Sequence, residues 1–499
     1  MTRRGGADRL HARMRRSAAD SVGGSGVDFA LPQGRAKATF ARLYREVELY
    51  RTLLRTYTKP LFSWRKALVT SHDLRTLYDF ARHTPQNADR LHGELANGRF
   101  RFREGLRLCY NFNGKQRIIY VFPWEERIVD LLLYRVLSRH FHGVLAPSCY
   151  AYRFRSYGVD ACQHRVRASV LRLGRPLWGM RRDVADYFPS VDHDILLAGL
   201  REWVEPDDYL YELLEQRVRF RYRDGDAVLT ASRGIAFGTA SACFLSNVYL
   251  TPVDRAMGAI GGLDYYRYAD DMLAFSDSRD AALEGRRALQ EQMALLKLES
   301  KEKHHLDFRL DAAQAADADF HPTDRVRYLG IEYDAQGQVR LPRDKFRKLR
   351  NQFRFAFRRA RRRLARAGDP VGRAAVAVQV ARDVVEKSFR PVAIIDYYLK
   401  HVTDEEQLRL LDRWLAEEVL AVAFQDGHRK GNWRRLSFGE LRRMGLPSLR
   451  HRRRLILHGR IESSFFRMKT DRRIEKGRGR LPGRKAFSPC LEAAAEQNS

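Results

Sequence analysis

Residues 266–271 read Tyr-Arg-Tyr-Ala-Asp-Asp, and apolar or aromatic residues flank this stretch on both sides. The pattern predicts a β-hairpin with Asp270 and Asp271 at its tip. Two neighbouring carboxylates repel each other unless a cation compensates them. Their hard oxygen atoms suit Mg²⁺, and Mg²⁺ held by paired carboxylates is typical of phosphoryl-transfer sites. Taken alone, the stretch is also compatible with an ordinary Asp-containing turn.

A second acidic segment lies upstream, where residues 182–188 read Arg-Asp-Val-Ala-Asp-Tyr-Phe. The preceding residues 177–180 predict a strand that ends at Asp183 and is followed by a turn and a helix. Two-metal catalysis needs carboxylates from separate strands to bridge ions about 4 Å apart. Asp183 is therefore the expected partner of Asp270. The bulky Phe188 near the same turn could block a nucleotide 2′-OH and so select deoxynucleotides. The alternatives are a helix-capping Asp183 and a core Phe188.

Between these two segments, residues 234–241 read Gly-Ile-Ala-Phe-Gly-Thr-Ala-Ser. Glycines such as Gly238 let the backbone approach a ligand closely. A helix is expected to start near Thr239, and its N-terminus favours negative charge. A template strand or an incoming nucleotide could lie there. An ordinary strand–turn–helix connection is the alternative.

Three basic residues are candidates to hold a triphosphate. Lys115 and Arg117 lead into a predicted strand at 118–122, and Arg153 ends a Tyr-Ala-Tyr-Arg segment. Arg binds phosphate through planar bidentate contacts and Lys as a point charge. Because the chain contains 92 Lys and Arg, none of them identifies a site by itself.

Two further elements follow the predicted hairpin. Lys301 and Lys303 come after an apolar stretch at 295–298, and a Lys here could protonate the departing pyrophosphate. Residues 328–333, Tyr-Leu-Gly-Ile-Glu-Tyr, predict a short strand that could support the primer end.

A strongly basic helix is predicted from Arg343 to Ala367, with apolar residues at three- and four-residue steps and a stop at Gly368. Its remaining faces are largely Lys and Arg. We expect it to follow a phosphate backbone, although a merely solvated face is the alternative. The candidate nucleic-acid contacts are Arg343, Lys345, Lys348, Arg350 and Arg354.

Composition favours a nucleic-acid partner. The 499-residue chain has a formal net charge of +31 and a pI of about 10.3, whereas its apolar content of 44% provides for folded cores. A merely basic protein is the alternative. Binding to a membrane surface is less favoured, because the charge is spread along the chain. None of the five cysteines forms a CxxC pair, which disfavours a zinc module and fits a reducing cytosol.

The order of these motifs resembles that of bacterial reverse transcriptases of the group II intron-like lineage, over about residues 106–365. That family carries six motifs in a fixed order. They are a Lys-x-Arg strand, a Tyr-x-Phe-Arg segment, an Asp-Phe-Asp-His motif, Tyr-Ala-Asp-Asp, a motif ending in Lys, and a Leu-Gly-Ile strand. Here they are matched by Lys115 and Arg117, Tyr150 to Arg153, Asp183 with Phe188, Asp192 and His193, residues 268–271, Lys303, and Leu329 to Ile331.

The resemblance implies a set of site residues and a cofactor. The catalytic residues would be Asp183, Asp270, Asp271 and Lys303, with Val184 joining the three carboxylates as a metal ligand. The nucleotide-binding residues would be Lys115, Arg117, Arg153, Phe188 and Gly238. The cofactor would be two Mg²⁺ ions, for which Mn²⁺ is a possible substitute.

The central motif departs from the intron-encoded pattern. Intron enzymes carry Gln-Gly followed by Ser-Pro, whereas this chain has Phe237-Gly238 and then Ser241-Ala242. That form is more similar to diversity-generating and defence-associated reverse transcriptases, and a stand-alone defence enzyme working with a small noncoding RNA is the preferred interpretation. The alternatives are an intron-type maturase, a non-catalytic RNA-binding scaffold and an RNA-dependent RNA polymerase. Phe188 argues against the last of these.

The expected fold is α+β, a right-hand polymerase of fingers, palm and thumb with helical extensions at both ends. The expected partners are an RNA template or noncoding RNA, a cDNA product and deoxynucleoside triphosphates in the bacterial cytoplasm, with no membrane and with an oligomer or protein partner left open. The predicted domains are a disordered basic leader at 1–30, an N-terminal helical extension at 31–105, fingers at 106–182, palm at 183–338, thumb at 339–400, a C-terminal helical region at 401–466 and a basic flexible tail at 467–499.

Overall fold

The computed structural model describes residues 30–58, 66, 70–112, 115–153, 157–206, 208–302, 305–386 and 393–460. The predicted leader, apart from its last residue, and the predicted tail lie outside these ranges. No helix in the described ranges is both long and apolar enough to cross a bilayer.

The described residues form helices and strands in the following chain order. The helices are α1 (Ala30–Leu43), α2 (Glu46–Thr58), α3 (Leu77–Arg82), α4 (Thr84–Ala96), α5 (Trp124–His140), α6 (Val159–Arg172), α7 (Tyr187–Ser190), α8 (His193–Arg201), α9 (Tyr209–Val218), α10 (Ala240–Tyr249), α11 (Thr251–Gly258), α12 (Arg279–Leu295), α13 (Arg343–Arg359), α14 (Arg361–Arg366), α15 (Pro370–Glu386), α16 (Ala393–His401), α17 (Glu405–Phe424), α18 (Asn432–Arg435), α19 (Phe438–Arg443) and α20 (Leu449–Leu457). The strands are β1 (Gly105–Phe112), β2 (Lys115–Val121), β3 (Leu177–Asp183), β4 (Arg221–Asp224), β5 (Ala227–Thr230), β6 (Asp264–Tyr268), β7 (Asp271–Ser276), β8 (Leu306–Leu310), β9 (His321–Thr323), β10 (Arg325–Tyr328), β11 (Ile331–Asp334) and β12 (Val339–Arg340).

The chain folds into two compact units, and each is drawn from separate stretches of sequence. The first takes its described residues from Met1–Ala146 and Phe188–Thr251, and the second from Pro147–Tyr187 and Pro252–Pro489. The predicted palm range therefore contributes to both units. Helices and sheets occur in each of them, which confirms the predicted α+β class.

The first unit contains a four-stranded sheet in the order β2-β1-β4-β5. Strands β1 and β2 form an antiparallel hairpin, as do β4 and β5, and β1 runs parallel to β4. Helix α5 of this unit is buried along most of its length and packs against α10, in which every residue is buried. An apolar helix without a solvated face is typical of the centre of a core.

The second unit is organised by a five-stranded sheet in the order β6-β7-β3-β8-β9. Strand β3 is central and pairs antiparallel with β7 on one side and β8 on the other. Helix α12 packs on β3 and β7. The predicted strand at 177–180 thus extends to Asp183, as expected, and the predicted hairpin is formed by β6 and β7.

Basic helices complete the second unit. The apolar residues of α13 that recur at four-residue steps, Leu349, Phe353 and Phe357, are buried, and α13 packs against α15 and α17. The predicted stop is also present, because α14 ends at Arg366 and Gly368 has a positive φ of 68°. The small sheet β10-β11-β12 precedes these helices. The prediction of one strand over 328–333 is wrong, because Leu329 and Gly330 have positive φ angles and form the turn between β10 and β11.

A close approach at Gly179 holds the central strand against its neighbours. A Cβ atom at this position would lie 2.3 Å from the carbonyl oxygen of Ala274, 2.6 Å from Cβ of Phe275 and 2.7 Å from Cζ of Phe308. We predict that Gly179→Ala lowers the free energy of unfolding by about 1–3 kcal/mol or more, since real Cβ atoms do not reach such distances.

Thermal and denaturant unfolding would measure this effect, with Gly93→Ala as the control. Gly93 lies in α4, and no heavy atom comes within 4 Å of its added Cβ. Because Ala favours a helix over Gly by up to about 1 kcal/mol, this control should unfold at the wild-type temperature or above. A Gly179→Ala protein as stable as wild type would contradict the prediction.

Candidate active site

The tip of the β6–β7 hairpin is a two-residue turn, Ala269-Asp270. Tyr268 pairs with Asp271 across it, and Ala269 has a φ of 56°. A residue other than glycine rarely adopts this left-handed backbone conformation, which persists only where the surrounding structure enforces it. A two-residue hairpin turn requires this conformation at its first position, and Ala269 adopts it at a cost that glycine would not have.

A buried arginine holds this turn. Arg267 is completely buried, and its Nη1 donates to the carbonyl oxygen of Ala269 at 3.1 Å. Its Nε donates to Oδ1 of Asp254 at 2.7 Å, within a bidentate ion pair that is likewise buried. Removing one partner of a buried ion pair leaves an uncompensated charge, which costs about 3–5 kcal/mol. Sequence reasoning did not assign Arg267 a role, although a cation inside an apolar, aromatic strand is an unusual signal.

The strand register brings Asp183 and Asp270 together. Asp183 pairs with Asp271 across β3 and β7, and the backbone N–H of Val184 donates to the carbonyl oxygen of Asp270 at 3.4 Å. Burial, followed by the charge and hydrogen bonding of Asp183, raises the pKa of Asp270, so the two carboxyl groups lie close together. Two carboxyl groups can share a hydrogen bond only when one of them carries a proton.

Lys301 supplies the positive charge beside this pair. Its Nζ lies 2.8 Å from Oδ1 of Asp183 and 3.9 Å from Oδ2 of Asp270, and its backbone N–H donates to the carbonyl oxygen of Asp183 at 2.8 Å. The sequence pointed to both Lys301 and Lys303 and the family pattern selected Lys303. Lys303 lies outside the described residues, so its predicted role stays a prediction.

Electrostatics set the protonation of the pair. Burial, followed by the negative charge and hydrogen bond of Asp183, raises the pKa of Asp270 to about 7, and Lys301 opposes that rise. Such a carboxyl binds a proton in a pH range where an ordinary Asp is ionised. The two carboxylates thus form a site that takes up positive charge, as a proton or as a metal ion.

Asp271 is directed elsewhere. Arg181 holds both of its carboxylate oxygens, with Nε–Oδ1 and Nη2–Oδ2 distances of 3.0 Å each. In the part of the chain that the structure describes, no group of three or more His, Cys, Asp or Glu side chains is close enough to hold a metal ion. The structure therefore brings together two of the three predicted carboxylates.

These residues fit a hard divalent cation. Asp183 presents its carboxylate oxygens from the end of β3 and Asp270 from the β6–β7 turn, and the space between them already attracts the ammonium group of Lys301. Oxygen donors with a net negative charge are what Mg²⁺ prefers. Asp183 and Asp270 would hold the ion, while Val184 and Asp271 stay predicted ligands.

Arg153 belongs to the same unit as the carboxylates. Its guanidinium lies 3.7 Å from the ring centroid of Tyr157, and Nη1 donates to the carbonyl oxygen of Cys149 at 3.0 Å. Burial lowers the pKa of Arg153 from its usual range. The backbones of Cys149 and Arg267 form an isolated β-bridge. Arg153 is therefore anchored to β6, the first strand of the hairpin.

The first unit gathers other predicted nucleotide contacts. The rings of Phe188 and Phe237 meet edge to face with centroids 5.2 Å apart, and the Arg117 guanidinium lies 6.0 Å from the Phe237 centroid. The sequence predicts no role for Phe237, because nothing in it indicates this ring contact. Lys115 begins β2, but its side chain lies outside the described atoms.

The expectation for the helix after Gly238 needs a correction. The N–H groups of Ala240 and Ser241 at the start of α10 donate to Oδ2 of Asp130 at 2.6 and 3.2 Å, and Arg217 pairs with Asp130 at 3.2 Å. The helix N-terminus is therefore occupied by a buried carboxylate and does not offer itself to a nucleotide. Gly238 has a φ of 99° with open space around it, and its predicted contact would have to use its own backbone.

The predicted nucleic-acid contacts of α13 divide into two groups. Arg350 lies over the ring of Trp414 at 4.6 Å, and Arg354 pairs with Glu418 at 3.1 Å, so these two face α17. Arg343 and Lys348 are exposed, and Lys345 is half-buried. Helical periodicity identified the basic residues but could not show which of them have protein partners.

Residues 110–333 match the family described as reverse transcriptase (RNA-dependent DNA polymerase). The match supports a reverse transcriptase domain. On this mixed helix-and-sheet fold it also supports the predicted right-hand polymerase and an RNA-directed DNA polymerase. No curated protein matches the chain in sequence.

Solved telomerase structures resemble the chain at low identity. Apo telomerase from Candida tropicalis is 9% identical with a TM-score of 0.41, covering 70% of this chain and 62% of its own. A form truncated from the C-terminal domain is 10% identical with a TM-score of 0.38, covering 48% and 55%. Telomerase from Candida albicans in complex with a fragment of telomeric RNA is 9% identical with a TM-score of 0.38, covering 70% and 64%. The chain thus spans less than two thirds of each of these telomerase chains.

We predict that Asp270→Asn raises the melting temperature at pH 8 in EDTA by a few degrees. Between the ordinary Asp pKa near 4 and the folded-state pKa of about 7, the folded protein binds the extra proton, so wild-type stability falls as pH rises through this range. Asn carries no charge at any pH. The gain in melting temperature of Asp270→Asn over wild type should therefore be full above pH 7 and shrink towards pH 5.

Melting curves of both proteins at pH 5 and pH 8 would measure this difference. Asp264→Asn is the matched control, because Asp264 lies at the other end of the same hairpin in an ion pair with Arg172. It should give no gain at pH 8. An Asp270→Asn gain of equal size at both pH values would contradict the assigned cause.

Proposed function

We propose that the chain is an RNA-directed DNA polymerase that adds deoxynucleotides at Asp183 and Asp270. The observation that carries this proposal is the pair of carboxylates at the end of β3 and in the β6–β7 turn, held close together beside the cationic Lys301. The match of residues 110–333 to the reverse transcriptase family supports the same activity. The expected reaction is attack of a 3′-OH on a deoxynucleotide α-phosphate with release of pyrophosphate.

The residues of this chain would act mainly by position and charge. Asp183 and Asp270 would hold Mg²⁺ or Mn²⁺, which when bound neutralises developing charge on the phosphate. Lys301 lets the two carboxylates stay close before a metal ion binds, because it compensates part of their repulsion. Arg181 fixes Asp271 at the same strand pair, where it would support the site. Lys303 remains the proposed proton donor to pyrophosphate.

Sugar selection would come from Phe188 and Phe237 of the first unit. Phe188 is the proposed barrier to a 2′-OH, and Phe237 restricts the Phe188 ring through its edge-to-face contact. Arg117, Lys115, Arg153 and Gly238 are the proposed contacts to the triphosphate.

The proposed contacts to the template–primer backbone are Arg343, Lys345 and Lys348 of α13. Arg350 and Arg354 would stiffen that helix against α17.

The biological role is proposed from the sequence motifs. The central motif with Phe237-Gly238 resembles those of defence-associated reverse transcriptases. We therefore propose a stand-alone antiphage enzyme of the bacterial cytoplasm that works with a noncoding RNA and makes a cDNA. The net charge of +31 supports an RNA partner.

Substitution of the carboxylates tests the activity. Asp270→Ala and Asp183→Asn should each lower deoxynucleotide incorporation by at least roughly a hundredfold, since loss of a metal ligand exceeds the 10- to 100-fold effects of its outer partners. The assay supplies Mg²⁺ and labelled deoxynucleotides, separately and together, with the RNA that copurifies, before and after RNase. Asp264→Ala on the same hairpin is the control and should retain synthesis.

The outcomes separate the proposal from its alternatives. Full synthesis by Asp270→Ala would remove the proposed site. Tight RNA binding by the wild-type protein without any incorporation would instead favour the RNA-binding scaffold.

Substitution of Phe188 tests sugar selection. Phe188→Ala should raise ribonucleotide incorporation relative to deoxynucleotide incorporation by roughly tenfold or more, because the proposed steric barrier is removed. Phe188→Tyr keeps the bulk and should keep the wild-type ratio. Primer extension with each nucleotide class measures the ratio, and an unchanged ratio in Phe188→Ala would assign the ring to packing alone.

A further inference from the structure

Helix α13 buries one side and exposes an aromatic ring on the other. Leu349, Phe353 and Phe357 form the buried side, and the Phe353 ring lies 6.2 Å from that of Trp414. At about 100° per residue, Phe355 is on the opposite side from both neighbouring Phe residues. Phe355 is 55% exposed. Packing of the core therefore does not account for a large aromatic residue at this position.

A single exposed ring is ordinary in a folded protein, but the surroundings of this one are not. Phe355 lies in a surface depression of about 590 Å³, which we call the Phe355 pocket. The Arg359 guanidinium lies 5.9 Å from the Phe355 centroid. The lining consists of Phe355, Arg358, Arg359, Arg361 and Arg362.

Among the described residues, the arginines of the pocket lack an acidic partner such as the one that Arg354 has. Arg354 pairs with Glu418 and Arg350 lies over Trp414, whereas no acidic partner among the described residues contacts the four arginines of the pocket. Residues 345–368 contain eleven Lys or Arg and no Asp or Glu. Like charges gathered in this way repel one another, so an anionic ligand would relieve the cost.

The lining dictates the chemistry of the ligand. A guanidinium group has five donors and no acceptor, so the ligand has to bring acceptor atoms and negative charge. The Phe355 ring offers a flat apolar face. We propose that the Phe355 pocket binds an unpaired nucleic-acid strand, with one base stacked on Phe355 and the neighbouring phosphates held by the arginines.

An unpaired strand fits better than two other anionic partners. In a duplex the base faces are already stacked on each other, so Phe355 would gain nothing from it. An anionic membrane surface is bound by helices with a continuous apolar face, and the solvent side of α13 offers this one ring among cations.

This inference goes beyond the proposed polymerase activity, because it concerns binding at a place that the carboxylates do not occupy. Its test uses no nucleotide incorporation. A negative result in it would leave the Asp270→Ala experiment unaffected.

The experiment measures fluorescence anisotropy of the full-length protein with a labelled oligouridylate of about 12 nucleotides, its duplex, and an oligothymidylate of the same length. Phe355→Ala should weaken binding of the single strands roughly five- to a hundredfold, as loss of one stacked base predicts, and leave duplex binding within about twofold. Phe355→Tyr should restore binding. Arg362→Gln should lower the slope of log affinity against log salt by about 0.7.

Phe438→Ala is the matched control. Phe438 is 43% exposed on α19, and the guanidinium of Arg442, four residues later, lies 5.9 Å from its ring centroid, which matches the Phe355–Arg359 pair. It lies outside the Phe355 pocket, so its loss should leave single-strand binding unchanged. Melting temperatures of all variants check that they fold, and Phe355→Leu keeps an apolar side chain without an aromatic face.

The outcomes are decisive in either direction. Loss of single-strand binding in Phe355→Ala and Phe355→Leu, with recovery in Phe355→Tyr, supports the site, and a preference between oligouridylate and oligothymidylate names the strand. Equal losses for single strand and duplex, no loss in Phe355→Ala, or an equal loss in Phe438→Ala would overturn it.

Discussion

The enforced contact between Asp183 and Asp270 is the constraint on which the candidate site depends. Two carboxylates do not approach each other spontaneously in water, so the backbone has to impose their separation. The imposing elements are the β3–β7 register, the left-handed turn at Ala269 and the buried Arg267 that binds it. Lys301 then offsets part of the repulsion without removing it, which leaves the pKa of Asp270 near 7.

Other cations of the second unit are also compensated by carboxylates. Arg267 is held by Asp254 inside the protein, and Arg181 is held by Asp271 at the surface of the sheet. Both cations bind carboxylates beside the strands that carry the site, so each fixes a backbone segment as well as a charge. The arginines of the Phe355 pocket differ from these, because the described protein gives them no counter-charge and leaves that task to a ligand.

The sequence predicted the parts of this arrangement that local pattern controls. Apolar residues at 177–180 and on both sides of the acidic tip predicted β3 and the β6–β7 hairpin, and the geometry that two-metal catalysis needs predicted that Asp183 and Asp270 meet. It did not predict that Arg181 takes Asp271, that Asp130 fills the start of α10, or that Arg350 and Arg354 face α17. Each of these is a choice of partner between distant segments, and a single sequence in which Arg is abundant does not distinguish one Arg–Asp pairing from another.

The interleaved course of the chain has a consequence for its synthesis on the ribosome. Strand β3 ends at residue 183, yet both of its partners, β7 and β8, lie beyond residue 270. The first unit likewise waits for β4 and β5 at 221–230 before its sheet is complete. Contacts between segments so distant in sequence close slowly, because loop entropy is lost before the contacts form. The nascent protein therefore carries an apolar, unpaired β3 while roughly a hundred further residues are added, and this interval is when it most needs protection from aggregation.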